Sequence, residues 1–135
     1  MQTHLSHIQF NVRAEHLGFY RDLFGFLGWP TIYDGDGMLG VGSEGSASLW
    51  FAGQVKEVAN DYDGPGMNHL AIGTATQGDV DRAADYLRER GVAHLFATPR
   101  HRPEFSGEGQ TYYQVMFESP DRILLEVVYI GPKEA

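Results

Sequence analysis

The sequence predicts an α+β fold built from two copies of one β-α-β-β-β module, and three observations carry that expectation. Two stretches that each open on a histidine, "HIQFNV" from His7 and "HLAIGT" from His69, alternate side chains with the period of a strand. Each is followed by a segment of helical period. Each helix is followed by short alternating runs punctuated by turn residues. Module one is expected over about 4–55, a linker over about 56–65 and module two over about 66–131, all within a single domain of 135 residues.

In the first module, Ile8, Phe10 and Val12 share one face of a strand, while His7, Gln9 and Asn11 share the other. In "AEHLGFYRDLFGFLG", Leu17, Tyr20, Leu23 and Phe24 recur at helical spacing, and Gly25 or Gly28 can stop the helix. "TIYDGDGMLGVGSEGSASLWFAG" then reads as two or three strands joined by Asp-Gly and Ser-Glu-Gly turns. The polar stretch "QVKEVANDYDGPG" reads as the linker.

The plan then restarts. Leu70 and Ile72 lie on one face of a strand, with His69, Ala71 and Gly73 on the other. "GDVDRAADYLRERG" is the clearest helix: Asp79 is the expected cap, Val80, Ala83, Ala84 and Leu87 the buried stripe, and Gly91 the stop. "VAHLFAT" reads as a strand, "PRHRPEFSGEGQ" as a loop, and "TYYQVMFE" and "ILLEVVYI" as strands around an "SPDR" turn.

Composition narrows the function. A net charge of −8 argues against a nucleic-acid partner, which needs clustered Lys and Arg. Cysteine is absent, which removes disulfides, thiolate metal sites and cysteine nucleophiles. The opening residues lack a signal-peptide pattern and no apolar run is long enough to cross a bilayer, so a cytoplasmic protein with no membrane partner is expected.

If the helix-facing sides of the strands are apolar, His7 and His69 project from the opposite side. In "ILLEVVYI", Leu125, Val127 and Tyr129 share one face, and Leu124, Glu126 and Val128 the other. A lone carboxylate in an apolar strand is costly to bury unless paired or metal-bound. The alternative for Glu126 is an ion pair with Arg122 or Arg100. Two imidazoles and one carboxylate in one cleft form a facial site for a divalent ion, for which iron, manganese, zinc, cobalt and nickel are all suited.

The module duplication, "HIQFNV" ahead of "LGFYRDLFGFLG", "NHLAIGT" and "YYQVMFESPDRILLEV" together resemble the vicinal-oxygen-chelate superfamily over roughly residues 4–131. This is the glyoxalase, bleomycin-resistance protein and extradiol-dioxygenase group. The resemblance implies a cup-shaped mixed sheet with helices on its outer face, a small-molecule substrate and a homodimer. It also implies metal ligands on the first and last strand of each module. His7, His69 and Glu126 fall on three of those four positions, while the fourth, in "SASLWF", is Ser48 or Trp50 rather than an acid.

That departure weakens a glyoxalase I-type isomerase and favours similarity to extradiol dioxygenases and fosfomycin-resistance thiol transferases. Those enzymes usually place a tyrosine ten residues before the last ligand, where this chain has Met116; Tyr112 lies on the same face. Tyr112 and His101 are therefore the expected catalytic residues. Trp50, Gln9 and Arg100 are the expected substrate contacts. The rival expectation is a non-catalytic protein that sequesters a drug or other small molecule between aromatic side chains.

Overall fold

Alternation of apolar and polar residues sets the strands of both modules, and the computed structural model describes residues 1–43 and 45–134. The chain divides into two units, Met1–Ala59 and Asn60–Ala135, with the division inside the expected linker.

The first unit contains β1 (His7–Asn11), α1 (Leu17–Phe26), β2 (Thr31–Gly35), β3 (Met38–Gly42) and β4 (Ser48–Ala52). Its sheet has the order β1-β4-β3-β2, with β1 parallel to β4 and the other neighbours antiparallel. Phe51 anchors the core, because its ring packs 4.4 Å from Tyr20, 5.4 Å from Phe10 and 5.5 Å from Phe24. All three strands expected after α1 are present. Asp36 and Gly37 both take positive φ (53° and 72°), as a tight turn between β2 and β3 demands. The expected Ser-Glu-Gly turn includes Glu44, which lies outside the described residues. Of the two candidate stops for α1, Gly25 lies inside the helix, whereas Gly28 carries the positive φ that ends it.

The second unit repeats the plan with β5 (Leu70–Gly73), α2 (Gln77–Glu89), β6 (Leu95–His101), β7 (Gln110–Glu118) and β8 (Leu124–Pro132). Its order, β5-β8-β7-β6, matches that of the first unit position for position, and β5 again runs parallel to β8. Val80, Ala83, Ala84 and Leu87 of α2 are buried, as the stripe requires. The cap of α2 differs from expectation. Thr76, not Asp79, is the N-cap, and its hydroxyl accepts from the Asp79 backbone N–H at 3.1 Å. Asp79 instead occupies the first turn, where its charge complements the helix N-terminus.

β6 also runs further than the sequence suggested and takes in Arg100 and His101. Its pairing with β7 is irregular between Leu95 and Arg100, and both Phe96 and Ala97 take positive φ there. Among the described residues no helix is long and apolar enough to cross a membrane.

Because one hydroxyl closes the first turn of α2, Thr76→Ala is expected to cost about 1 kcal/mol of stability, and Thr76→Ser much less. Urea unfolding followed by circular dichroism measures both.

Candidate functional site

Strand register decides which side chains share a face. In the second unit, Glu126 on β8 lies opposite Ala71 of β5 on one side and Met116 of β7 on the other. Gln114 and Val128 form the next pair on that face, and Tyr112 and Ile130 the one after. The opposite face carries Thr111, Tyr113, Val115 and Phe117; Tyr113 reaches α2, its hydroxyl donating to Asp81 at 2.5 Å. Glu126 therefore sits on the face turned away from α2.

Neither Ala71 nor Met116 can pair with a carboxylate, yet Glu126 is only 1% exposed. Two more distant residues compensate it. The Tyr112 hydroxyl donates to Oε1 at 2.5 Å. His69, just before β5, brings its Nε2 to 3.1 Å from Oε2. Its Nδ1 lies 2.7 Å from the side-chain oxygen of Asn68, whose amide nitrogen donates to the Tyr62 carbonyl at 3.0 Å. Burial, then the bond to Glu126, then the charge of Glu126 push the Tyr112 phenol up to about 12, against an opposing pull from Arg102. Tyr112 therefore stays protonated at neutral pH and acts as a donor. The arginine alternative for Glu126 is not what forms: Arg122 instead approaches Glu118, at 3.8 Å.

The other expected residues fall in different places. His101 does not lie on a loop beside Glu126. The irregular pairing of β6 inverts the alternation after Leu95, so His101 pairs with Tyr113 on the α2 side and is hydrogen-bonded to Thr111. That placement removes it from the face of Glu126. Arg100 pairs with Gln114 in register and is exposed. The guanidinium that reaches this face belongs to Arg102, which the sequence reading missed. Its Nη1 donates to buried Gln114 at 3.0 Å, its Nε to Glu104 at 2.5 Å, and its backbone N–H to the Tyr112 carbonyl at 2.7 Å. The "PRHR" run contained that signal, but Arg100 and Arg102 share a side by alternation, and the bond to Gln114 is what singles out Arg102.

In the first unit, His7, Gln9 and Trp50 share the face opposite the Phe51 core, with His7 opposite Ser48 and Gln9 opposite Trp50. Gln9 is exposed, and its amide donates to Asn11 at 3.3 Å. The Trp50 indole donates to Ser48 at 2.9 Å and lies over Gly40, where an added Cβ would stand 2.7 Å from the ring. Tyr33 adds a second ring 6.0 Å away.

His69 and Glu126 suit a divalent ion as neighbouring ligands. Donors about 2.1 Å from one ion, set at right angles, lie about 3.0 Å apart, close to the 3.1 Å observed between Nε2 and Oε2. Among the described residues no group of three or more such side chains that could hold a metal ion is found. The pair in the second unit thus supplies two donors.

No family profile and no curated relative matches the sequence. Solved structures do. A putative glyoxalase from Bacillus halodurans is 28% identical, with a TM-score of 0.78 over 95% of this chain and 96% of that one. A glyoxylase/bleomycin resistance protein/dioxygenase domain from Frankia sp. EAN1pec is 20% identical, with a TM-score of 0.69 over 100% and 96%. The fosfomycin resistance protein FosX from Listeria monocytogenes, solved with Mn(II) and sulfate, is 21% identical, with a TM-score of 0.67 over 96% and 91%. This chain has the vicinal-oxygen-chelate fold.

Within that fold, register resolves the ambiguous fourth position. Ala71 follows His69 by two residues and pairs with Glu126; Gln9 follows His7 by two and pairs with Trp50. Trp50, not Ser48, is thus the counterpart of Glu126. An indole stands where the second unit has its carboxylate.

Tyr112→Phe leaves Oε1 of Glu126 buried without its donor and is expected to cost about 1–3 kcal/mol. The loss should shrink when Glu126→Gln is already present, a coupling that a double-mutant cycle of urea unfolding at neutral pH resolves.

Proposed function

We propose that this chain is a small metal-dependent enzyme of the vicinal-oxygen-chelate type, acting on a small organic substrate that offers two adjacent oxygens. The observation that carries the reading is the Nε2 to Oε2 separation of 3.1 Å between His69 and a carboxylate that is only 1% exposed. A buried carboxylate beside an imidazole needs a cation, and either a proton on Nε2 or a metal ion supplies it. His69 and Glu126 would hold the metal. His7 holds the equivalent position of the first unit, where the resemblance implies a ligand. When bound, the ion would polarise substrate oxygens and stabilise developing negative charge there.

The chain's own residues do the rest. Tyr112 holds Oε1 and so keeps Oε2 turned toward His69. Asn68 steadies the imidazole. Gln114, itself held by Arg102, presents a polar surface on the same face as Glu126, suited to the oxygens of a bound substrate. The chemistry compatible with this set is of dioxygenase, lyase or thiol-transferase type. The Mn(II) in the Listeria FosX neighbour makes manganese the first ion to test.

Trp50 favours a second reading. Its indole, with Tyr33 close by, would suit a protein that sequesters a cationic or aromatic small molecule without catalysis.

Metal-stripped protein titrated with Mn(II) is expected to take up ion stoichiometrically, and His69→Ala and Glu126→Gln each to abolish that uptake. No stoichiometric uptake by the wild-type chain would defeat the reading. Quenching of tryptophan fluorescence by a cationic drug, unchanged by a chelator, would favour sequestration instead.

A further inference from the structure

The two units support their leading histidines differently. His7 is the first residue of β1, and the carbonyl of its neighbour Ser6 accepts the Ser48 backbone N–H at 3.1 Å, so the sheet itself carries that ring. His69 stands one residue ahead of the first pair of its strand, Leu70 with Leu125, and β5 is a four-residue strand at the end of its sheet. Its imidazole needs support from outside the ladder if it is to be held in one orientation.

That support is the segment 60–68. The side-chain oxygen of Asn68 lies 2.7 Å from Nδ1 of His69, and its amide nitrogen donates to the Tyr62 carbonyl at 3.0 Å. Tyr62 is in turn fastened to the last residue of β7, because its hydroxyl donates to Oε2 of Glu118 at 2.5 Å. That bond raises the phenol above its ordinary range, so Tyr62 stays protonated at neutral pH and remains a donor. The Arg122 guanidinium lies over the Tyr62 ring, 5.9 Å from its centroid. A separate anchor ties the start of the segment to the turn between β7 and β8: the Asn60 amide donates to the Arg122 carbonyl at 2.8 Å. The contacts close a circuit. Tyr112 and Glu118 both belong to β7, and the first holds Oε1 of Glu126 while the second, through Tyr62 and Asn68, reaches the imidazole at Oε2.

We infer that Tyr62 is a positioning residue for His69: its hydroxyl, fastened to Glu118, holds the segment 60–68 so that Asn68 keeps the imidazole beside Oε2 of Glu126. The value of that restraint to the protein rests on the metal-binding reading above; the restraint itself does not.

The test uses the full chain at neutral pH, with and without Mn(II). Tyr62→Phe removes one oxygen and leaves the ring and the Asn60 anchor in place; Glu118→Ala removes the acceptor, and Glu118→Gln keeps one. In the metal-free protein, 13C relaxation of the His69 ring, assigned through His69→Gln, is expected to report a more mobile imidazole in Tyr62→Phe and Glu118→Ala. Glu118→Gln should keep the wild-type ring. Mn(II) affinity should fall about 10-fold in Tyr62→Phe and in Glu118→Ala, fall no further in their combination, and be retained in Glu118→Gln. Ring mobility separates positioning from stability, since a chain that is merely less stable leaves the ring of its folded fraction as it was. Wild-type ring relaxation in Tyr62→Phe overturns the inference. So does a Glu118→Gln variant that follows the alanine, since the charge of Glu118 and not the anchored hydroxyl would then be what counts. A wild-type chain that binds no ion sinks the enzyme reading alone, and the ring relaxation still decides the role of Tyr62.

Discussion

A carboxylate buried in the middle of a sheet governs the second unit. Glu126 stands on β8 where it is paired on both sides, with β5 on one edge and β7 on the other. Burying such a charge without compensation costs several kcal/mol. Its direct neighbours, Ala71 and Met116, supply none. Compensation must come from residues off the register line, and it does: Tyr112 from along β7, His69 from just before β5. The short bond to one oxygen and the imidazole at the other account for the whole carboxylate. The positions of β5, β7 and the segment carrying Asn68 and Tyr62 all serve that requirement.

Much of this was legible in the sequence because period and duplication are local signals. The alternation of Ile8, Phe10 and Val12 against His7, Gln9 and Asn11 appears in the burial of β1, and the Val80, Ala83, Ala84 and Leu87 stripe appears in α2. The side of β8 that carries Glu126 followed from the same reasoning. Alternation fails where a strand is irregular. His101 was expected on a loop able to cover the cleft, but β6 extends through it, and the break after Leu95 turns it to the side of Tyr113. Arg102 was missed because its segment read as a loop, where alternation assigns no face. Thr76 took the cap from Asp79 because both residue types serve there, and only backbone geometry separates them.

The two units show how a duplicated plan tolerates unequal chemistry. Sheet order and the parallel first-to-last pairing are the same in both. The side chains at matched positions are not. Where the second unit has a carboxylate opposite Ala71, the first has an indole opposite Gln9. Where the second has Met116 beside that carboxylate, the first has Gly40. One unit meets a charge with hydrogen bonds; the other covers bare main chain with an aromatic plane.

That last arrangement ties two positions of the first unit together. Since Trp50 rests on the Gly40 backbone with no room for even a methyl group between them, neither residue is free to drift by itself. Any side chain at 40 evicts the ring, and any smaller residue at 50 strips the cover from a glycine in mid-strand, where main chain is already weakly held. Replacing the indole by an acid, so that the first half came to match the second, would accordingly require a paired change and not a single step.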